Sequence, residues 1–403
     1  MFHLQFKCKH IPLTYVIVSF YLETILAFSS SYFKSITPTK FNLKNQNDYV
    51  SRLRLQATQF HDYDKQLDRR STIQVLAGIS LFSALASKIA PGNAAIIPPH
   101  NIPCWSLENS VQFPLLALNT VGLTSEETVV ALQFAISEGI THVDFHPGKE
   151  RDGVAKYISQ YGREHLFLNT KIRKAPPGTT PTEAAERTKE QIIEDLKALN
   201  VDHVDMLMLR DSPDERVIQA QWAVLEQAMR SGKTRSIGVI NFCEKALASV
   251  LKTASIKPAV NYHMLHVGMG KDAHGLRTFQ ESNGIRTFAY GAIGEPGPNQ
   301  EILSSPILKR IAESHDRSVE EVALRWVTQG GAAVSVRPTS HFGVGISSCD
   351  GNVCKDGIKG RSSTFNWSLT DNEMNELNQM TSPDDNPTLF SSSGCPGAFI
   401  MPK

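Results

Sequence analysis

Three short apolar stretches, each closing on charged or polar side chains, constrain this chain more than any other feature. They are 141–146 (THVDFH), 166–171 (LFLNTK) and 203–210 (HVDMLMLR), and the charges at their ends are Asp144, Lys171 and Arg210. Runs of this length and polarity read as strands buried on both faces, the signature of a parallel sheet covered by helices. In a parallel α/β barrel the carboxyl ends of the strands share one mouth. Side chains placed there serve chemistry, whereas the opposite end serves stability.

The rest of the chain alternates the same two signals. The first barrel strand is expected over 113–118, followed by a helix that opens on the capping box Thr124-x-x-Glu127 and buries Val129, Leu132 and Ile136 at helical spacing. Strand 141–146 leads to a helix through Val154 and Ile158. Strand 166–172 leads to one that opens on Thr180-Pro181-x-Glu183, with proline at its first position. Strand 204–209 precedes a helix around Trp222, Leu225 and Met229 that stops at Gly232. Further strands are expected over 235–240, 259–263, 286–290 and 333–337, with Ser318-x-x-Glu321 and Thr370-x-x-Glu373 capping two late helices. Eight such units in roughly 270 residues predict an α/β fold of the (β/α)8 TIM barrel type.

The 403 residues exceed what that barrel needs, and the surplus lies mostly at the start. Lys7, Lys9 and His10 precede an apolar run over 11–28, as in a secretory signal peptide. Residues 29–54 are rich in Ser, Thr, Lys and Asn, with Asp48 the one acid, as in a transit peptide; the two join at Ala27-Phe28. Arg69-Arg70 then precedes an apolar segment over 73–90 ending in Gly92-Asn93-Ala94, a twin-arginine transfer pattern. The order of signals predicts a targeting leader over 1–94 and a mature domain over 95–403 in a plastid, within the thylakoid lumen. The competing readings of 73–90 are an uncleaved anchor, although it is short for a span of about 20 apolar residues, and an ordinary hydrophobic helix behind a chance arginine pair. No permanent membrane span is expected in the mature protein. The formal charge of +1, with acids and bases interleaved, leaves no basic face for a nucleic acid.

The stretches 162–171 (GREHLFLNTK), 196–209 (LKALNVDHVDMLML) and 231–242 (SGKTRSIGVINF) resemble the aldo-keto reductase family, in order and at the matching strand ends. The resemblance covers roughly 113–380. It implies an NADP(H)-dependent oxidoreductase acting on a small carbonyl compound. In that family a tyrosine hydroxyl, its pKa lowered by a lysine that an aspartate orients, protonates the developing alkoxide. Asp144 and Lys171 match the aspartate and lysine. The tyrosine would fall at Gly148 or Lys149, and the family histidine is replaced by Arg210, which stays protonated and only donates hydrogen bonds. Tyr157 and Tyr161 lie too far along the following helix to substitute. Arg210 could still polarise a carbonyl or hold a carboxylate bidentately. His146, two residues beyond Asp144 on a continuing strand, would point to the same side and is the compensating candidate acid. Its other reading is a surface-loop histidine before Pro147, and that of Lys171 is a structural partner of Asp144.

The resemblance also implies a cofactor site for NADP (NADPH). Asn241 matches a residue that hydrogen-bonds the nicotinamide amide, with Ile240 where a serine would stand. Tyr262 takes the place of a glutamine at the same amide, and Tyr290 that of the ring that stacks on nicotinamide, unless it is a packed barrel aromatic. Arg337 replaces a lysine for the 2′-phosphate, and Arg361 is the nearest substitute for a later arginine, beyond an inserted loop over 341–356. Within that insertion Cys349 and Cys354 are expected to form a disulfide, in a domain without a metal site; Cys395 lies in a flexible tail over 391–397. Cys243 is expected as a buried small hydrophobe. The second functional reading is a non-catalytic barrel, a pseudo-reductase that binds nucleotide or a protein partner.

Overall fold

The computed structural model describes residues 101–272, 275–294, 299–338, 349 and 351–380. The leader over 1–94, most of the first part of the insertion and the tail over 391–397 lie outside the described residues. Eight parallel strands close into a barrel in the order β10-β3-β4-β5-β6-β7-β8-β9. They are β3 (Leu116–Asn119), β4 (His142–Asp144), β5 (Phe167–Lys171), β6 (Val204–Arg210), β7 (Thr234–Ile240), β8 (Val260–Met264), β9 (Arg286–Tyr290) and β10 (Ala333–Val336). Helices connect successive strands, as the alternation predicts.

One strand expectation is corrected. The run over 113–118 breaks at Leu115, because Phe113 belongs to an antiparallel hairpin, β1 (Cys104–Ser106) with β2 (Gln112–Pro114). Phe113 is fully buried and packs edge-on against His142, Phe167 and Phe288 at centroid distances of 4.8, 5.4 and 5.3 Å. The hairpin therefore plugs the amino-terminal end of the barrel with an aromatic ring.

Period-two alternation divides each strand between two cores. Leu116, Leu118, Val143, Leu168, Leu207, Leu209, Ile237, Val239 and Val334 share one apolar cluster with the surrounding helices. The intervening residues Ala117, Phe167, Met206, Met208, Ile240, Val260, Tyr262, Phe288 and Ala333 form the other, inside the barrel. Asp144, Lys171 and Arg210 follow the inward phase, so the rule that fills the barrel also aims its polar residues at the mouth.

The helix caps act as their sequences imply. Thr124, Ser318 and Thr370 each accept from the backbone of the residue three on, and the glutamate there returns a bond to the cap. The capping box expected at Thr180 is only half made: Thr180 accepts from Glu183 N, but the Glu183 carboxylate reaches Arg187 instead of the cap. Ile136 is half-buried where full burial is expected. The insertion over 341–356 is not wholly a loop, since Gly351–Ser362 is helical. Cys349 and Cys354 form the expected disulfide, both buried, and Cys349 N donates to Glu127 at 3.3 Å, tying the bridge to the helix Ser125–Ser137. Cys243, at the N-cap of Glu244–Leu251, is half-buried and disulfide-bonded rather than a buried small hydrophobe. Among the described residues no helix is long and apolar enough to cross a membrane.

Candidate active site

Adjacent strands bring Asp144 and Lys171 together, as their positions predict. Lys171 Nζ donates to Asp144 Oδ1 and to the Phe145 carbonyl at 3.1 Å, and both side chains are fully buried. Asp144 accepts four further bonds. Asn169 reaches Oδ1 at 3.0 Å, and Oδ2 receives the Tyr262 hydroxyl at 2.6 Å, the Ser335 hydroxyl at 2.6 Å and the Asn119 amide at 3.2 Å. Burial by itself would raise the Asp144 carboxyl. The Lys171 charge, then His146 and the hydrogen bonds, outweigh it and hold that carboxyl below its ordinary range. Burial lowers the Lys171 ammonium, against the raising effect of Asp144.

Tyr262 departs from its expected role. Its ring stacks on Phe288 at 4.5 Å, and its hydroxyl turns to Asp144 rather than presenting an amide-binding group. A buried hydroxyl needs an acceptor, and a carboxylate is the strongest one within reach. Burial, then the Asp144 charge, push the Tyr262 hydroxyl well above its ordinary pKa. Asp144 and Lys171 thus lie beneath a floor of Asn119, Tyr262 and Ser335. They help to shape the site but do not line it.

Above that floor opens a cavity of about 190 Å³ whose wall includes His146, Arg210, Asn241, Tyr290, Arg337 and the upper edges of the floor residues. Among the described residues, its wall contains no aspartate or glutamate. His146 is here and not on an outer loop. Glu150 Oε2 accepts from the His146 backbone N–H and lies 3.0 Å from its Nδ1. The Lys171 charge, then burial, lower the His146 pKa below 6.5, while Glu150 opposes them; Glu150 itself is held ionised, its burial outweighed by His146 and Lys171. A carboxylate only accepts, so the proton of the neutral ring sits on Nδ1, leaving Nε2 to exchange a proton on protonation.

Asn241 stands at φ 59°, a left-handed conformation that asparagine tolerates better than most residues, and its Oδ1 accepts the Tyr290 hydroxyl at 2.9 Å. Amide, ring and the Arg337 cation thus share one wall. Such a set fits the amide, ring and phosphate of a nicotinamide dinucleotide phosphate. Arg361 does not join it: the side chain is buried, with Nη1 on the Gly357 carbonyl at 2.9 Å and 3.8 Å from Glu320.

The position expected to lack a tyrosine does lack one. Gly148 has φ 98° and caps the helix Lys149–Tyr161, while Lys149 is exposed. Tyr157 and Tyr161 pack on each other, centroids 4.9 Å apart, along that helix. Sequence reasoning missed Glu150, Asn119, Asn169 and Ser335. The i, i+4 spacing of His146 and Glu150 was the one local signal; Asn119 and Asn169 meet Asp144 through the register of the adjacent strands, and Ser335 through barrel closure. Among the described residues no group of three or more His, Cys, Asp or Glu side chains converges as a metal site would.

A closed parallel barrel with its polar residues at the carboxyl-terminal mouth defines a class of enzyme scaffold. The Aldo/keto reductase family model matches residues 116–342, and the chain belongs to that family. It is 28% identical to morphine 6-dehydrogenase of Pseudomonas putida over 69% of this chain and 91% of that protein. It is 30% identical to glyoxal reductase of Bacillus subtilis over 56% of this chain and 78% of that protein. The structure also matches a variant of Gox0644 in complex with NADPH, with a TM-score of 0.59 and 23% identity, covering 71% of this chain and 96% of that one. The relatives are oxidoreductases, and NADP(H) is bound in solved members of the family.

Proposed function

We propose that this chain is an NADPH-dependent reductase of a small carbonyl compound, in which His146 supplies the proton that the missing tyrosine would give. The observation that carries this reading is the single cavity shared by His146, Arg210, Asn241, Tyr290 and Arg337. When bound, NADPH supplies the hydride. Asn241 would hold the nicotinamide amide, Tyr290 would pack on the ring and Arg337 would face a phosphate. His146, oriented by Glu150, delivers a proton from Nε2 to the carbonyl oxygen when the ring is charged. Arg210 donates hydrogen bonds to a substrate oxygen but gives up no proton. The Lys171 charge and then burial hold His146 below its ordinary pKa, against Glu150 and Asp144. The glyoxal reductase relative supports a small carbonyl substrate.

Fluorescence titration of the mature domain with NADPH, followed by carbonyl reduction across pH, tests this. Saturable binding is expected, with turnover that rises toward acid pH and is lost in His146→Ala. General acid catalysis contributes typically about 10²–10⁴-fold, so reduction near neutral pH is slow by that order. Absence of NADPH binding would move the protein to the non-catalytic reading. We propose further, from the three ordered leader signals, that the mature domain reaches a thylakoid lumen; cytosolic fluorescence from a fusion of the leader would overturn this.

A further inference from the structure

Arg210 closes β6 at the cavity wall, half-buried, with its backbone in register with Ile240 of β7. Among the described residues its guanidinium makes no ion pair and no hydrogen bond. The described acids nearest the site each have another partner, although the Arg210 charge also reaches Asp211. Asp144 holds Lys171 and four neutral donors, Glu150 holds His146, and Asp211, next in the chain, sits 3.3 Å from Lys174 Nζ. An arginine cannot shed its charge, and half-removing it from water without a counter-ion costs free energy. Its field reaches its neighbours. Burial is the main cause of the lowered Lys171 and raised Tyr290 pKa values, and the Arg210 charge adds to the first and offsets part of the second. A cavity with no acidic wall residue among the described ones, and with a planar cation that makes no ion pair there, is suited to receive an anion.

We propose that Arg210 is the seat for a carboxylate on the substrate: the carbonyl compound reduced in this cavity is an oxo acid, its carboxylate held bidentately by Arg210. This rests on the reductase reading. The fork of N–H groups matches two coplanar carboxylate oxygens, and Arg210 spends no proton in holding them. Arg337 stands after β10, on the far side of the closed barrel order from β6, and is left for the cofactor phosphate. Arg210 and His146 then divide between them two tasks, anchoring one end of the substrate and protonating the other. Inorganic phosphate offers similar oxygens and is the competing anion.

The test compares succinic semialdehyde with its methyl ester, which keeps the aldehyde and removes the charge, on the mature protein with NADPH. The expected preference for the acid in kcat/KM is ~10–10²-fold, the range of a charge-assisted pair. It should collapse in Arg210→Met mainly through KM, and survive in part in Arg210→Lys, which keeps the charge and loses the fork. Equal use of acid and ester by the wild type, or a preference that outlasts Arg210→Met, overturns the proposal. If neither compound is reduced, the reductase reading fails on its own, and succinate binding measured by calorimetry decides the carboxylate seat. Succinate bound at least ~10-fold more weakly by Arg210→Met sustains the seat. Binding that does not depend on Arg210, no binding, or binding of phosphate in preference to succinate overturns it.

Discussion

Lys171 and Arg210 end neighbouring strands of one barrel, and their surroundings are opposite. Lys171 is fully buried, locked to Asp144 in a cluster where the carboxylate accepts five donors. Arg210 opens on the cavity and makes no ion pair or hydrogen bond among the described residues. Lys171 is in register with Met208 of β6, so Arg210 stands two residues further along the inward phase, above the floor rather than beneath it. That short step along the barrel separates an internal structural charge from one held in reserve for a ligand. In the family pattern the lysine acts on a tyrosine; here its strongest partner is the aspartate below the floor, and the proposed chemistry uses residues above it.

The contrast breaks most sharply at Lys171. Lys171→Met leaves Asp144 buried without its cation and should cost about 3–5 kcal/mol, read by denaturant unfolding of the mature domain. A loss below about 1 kcal/mol would mean that water reaches the pair and that the floor is not a seal.

The next effect separates the closed interior from the mouth by pH. His142 and His263 are fully buried, and burial lowers each from 6.5 to about 4. The unfolded chain takes up these protons first as pH falls. The stability they contribute is complete above about pH 6.5 and is lost as pH drops toward 4, by about 3 kcal/mol for each histidine. A melting temperature that stays flat between pH 7 and 4.5 would show that neither ring is sealed. His146 differs in cause, since the Lys171 charge rather than burial leads its shift. Lys171→Met should therefore move the activity profile toward neutral pH in whatever fraction stays folded.

A smaller loss is expected from Tyr262→Phe. It removes one of the donors on Asp144 and keeps the stack on Phe288, for a cost of about 2 kcal/mol, the range of a hydrogen bond to a charged group. Were Tyr262 the proton donor, this variant would abolish turnover at every pH. The reading here leaves the acid-side activity in place. The smallest effect is at Arg210. Arg210→Met removes a cation that makes no ion pair or hydrogen bond among the described residues and acts on Asp211 only through its field, so its stability should stay within about 0.5 kcal/mol of wild type, whatever it does to substrate preference. A loss comparable to that of Lys171→Met would erase the distinction between the two strand ends.

Much of this barrel was legible before any coordinates. The strands of 141–146, 166–171 and 203–210 announce themselves by apolar runs, and the helices by Thr124, Thr180, Ser318 and Thr370 at their starts. All of these are local signals, carried by residues within a few positions of one another. The meeting of Asp144 and Lys171 followed from period two and strand order, as did the placing of Arg210 at a strand end, whereas for His146 the sequence left the mouth and a surface loop both open. The break at Leu115 did not, because an apolar run cannot show where a hairpin hands over to a barrel strand.

Nor did local pattern show the fate of the polar groups. Tyr262 lies 118 residues from Asp144 and Ser335 lies 191, and only closure of the barrel brings both hydroxyls to one carboxylate. The sequence by itself determined the scaffold, the strand ends and which side chains face inward, because periodicity and capping are written in near neighbours. Tertiary structure alone decided which of those inward groups is sealed and which is open. A buried charge is set by every donor that reaches it from across the barrel, and those donors are distant in the chain.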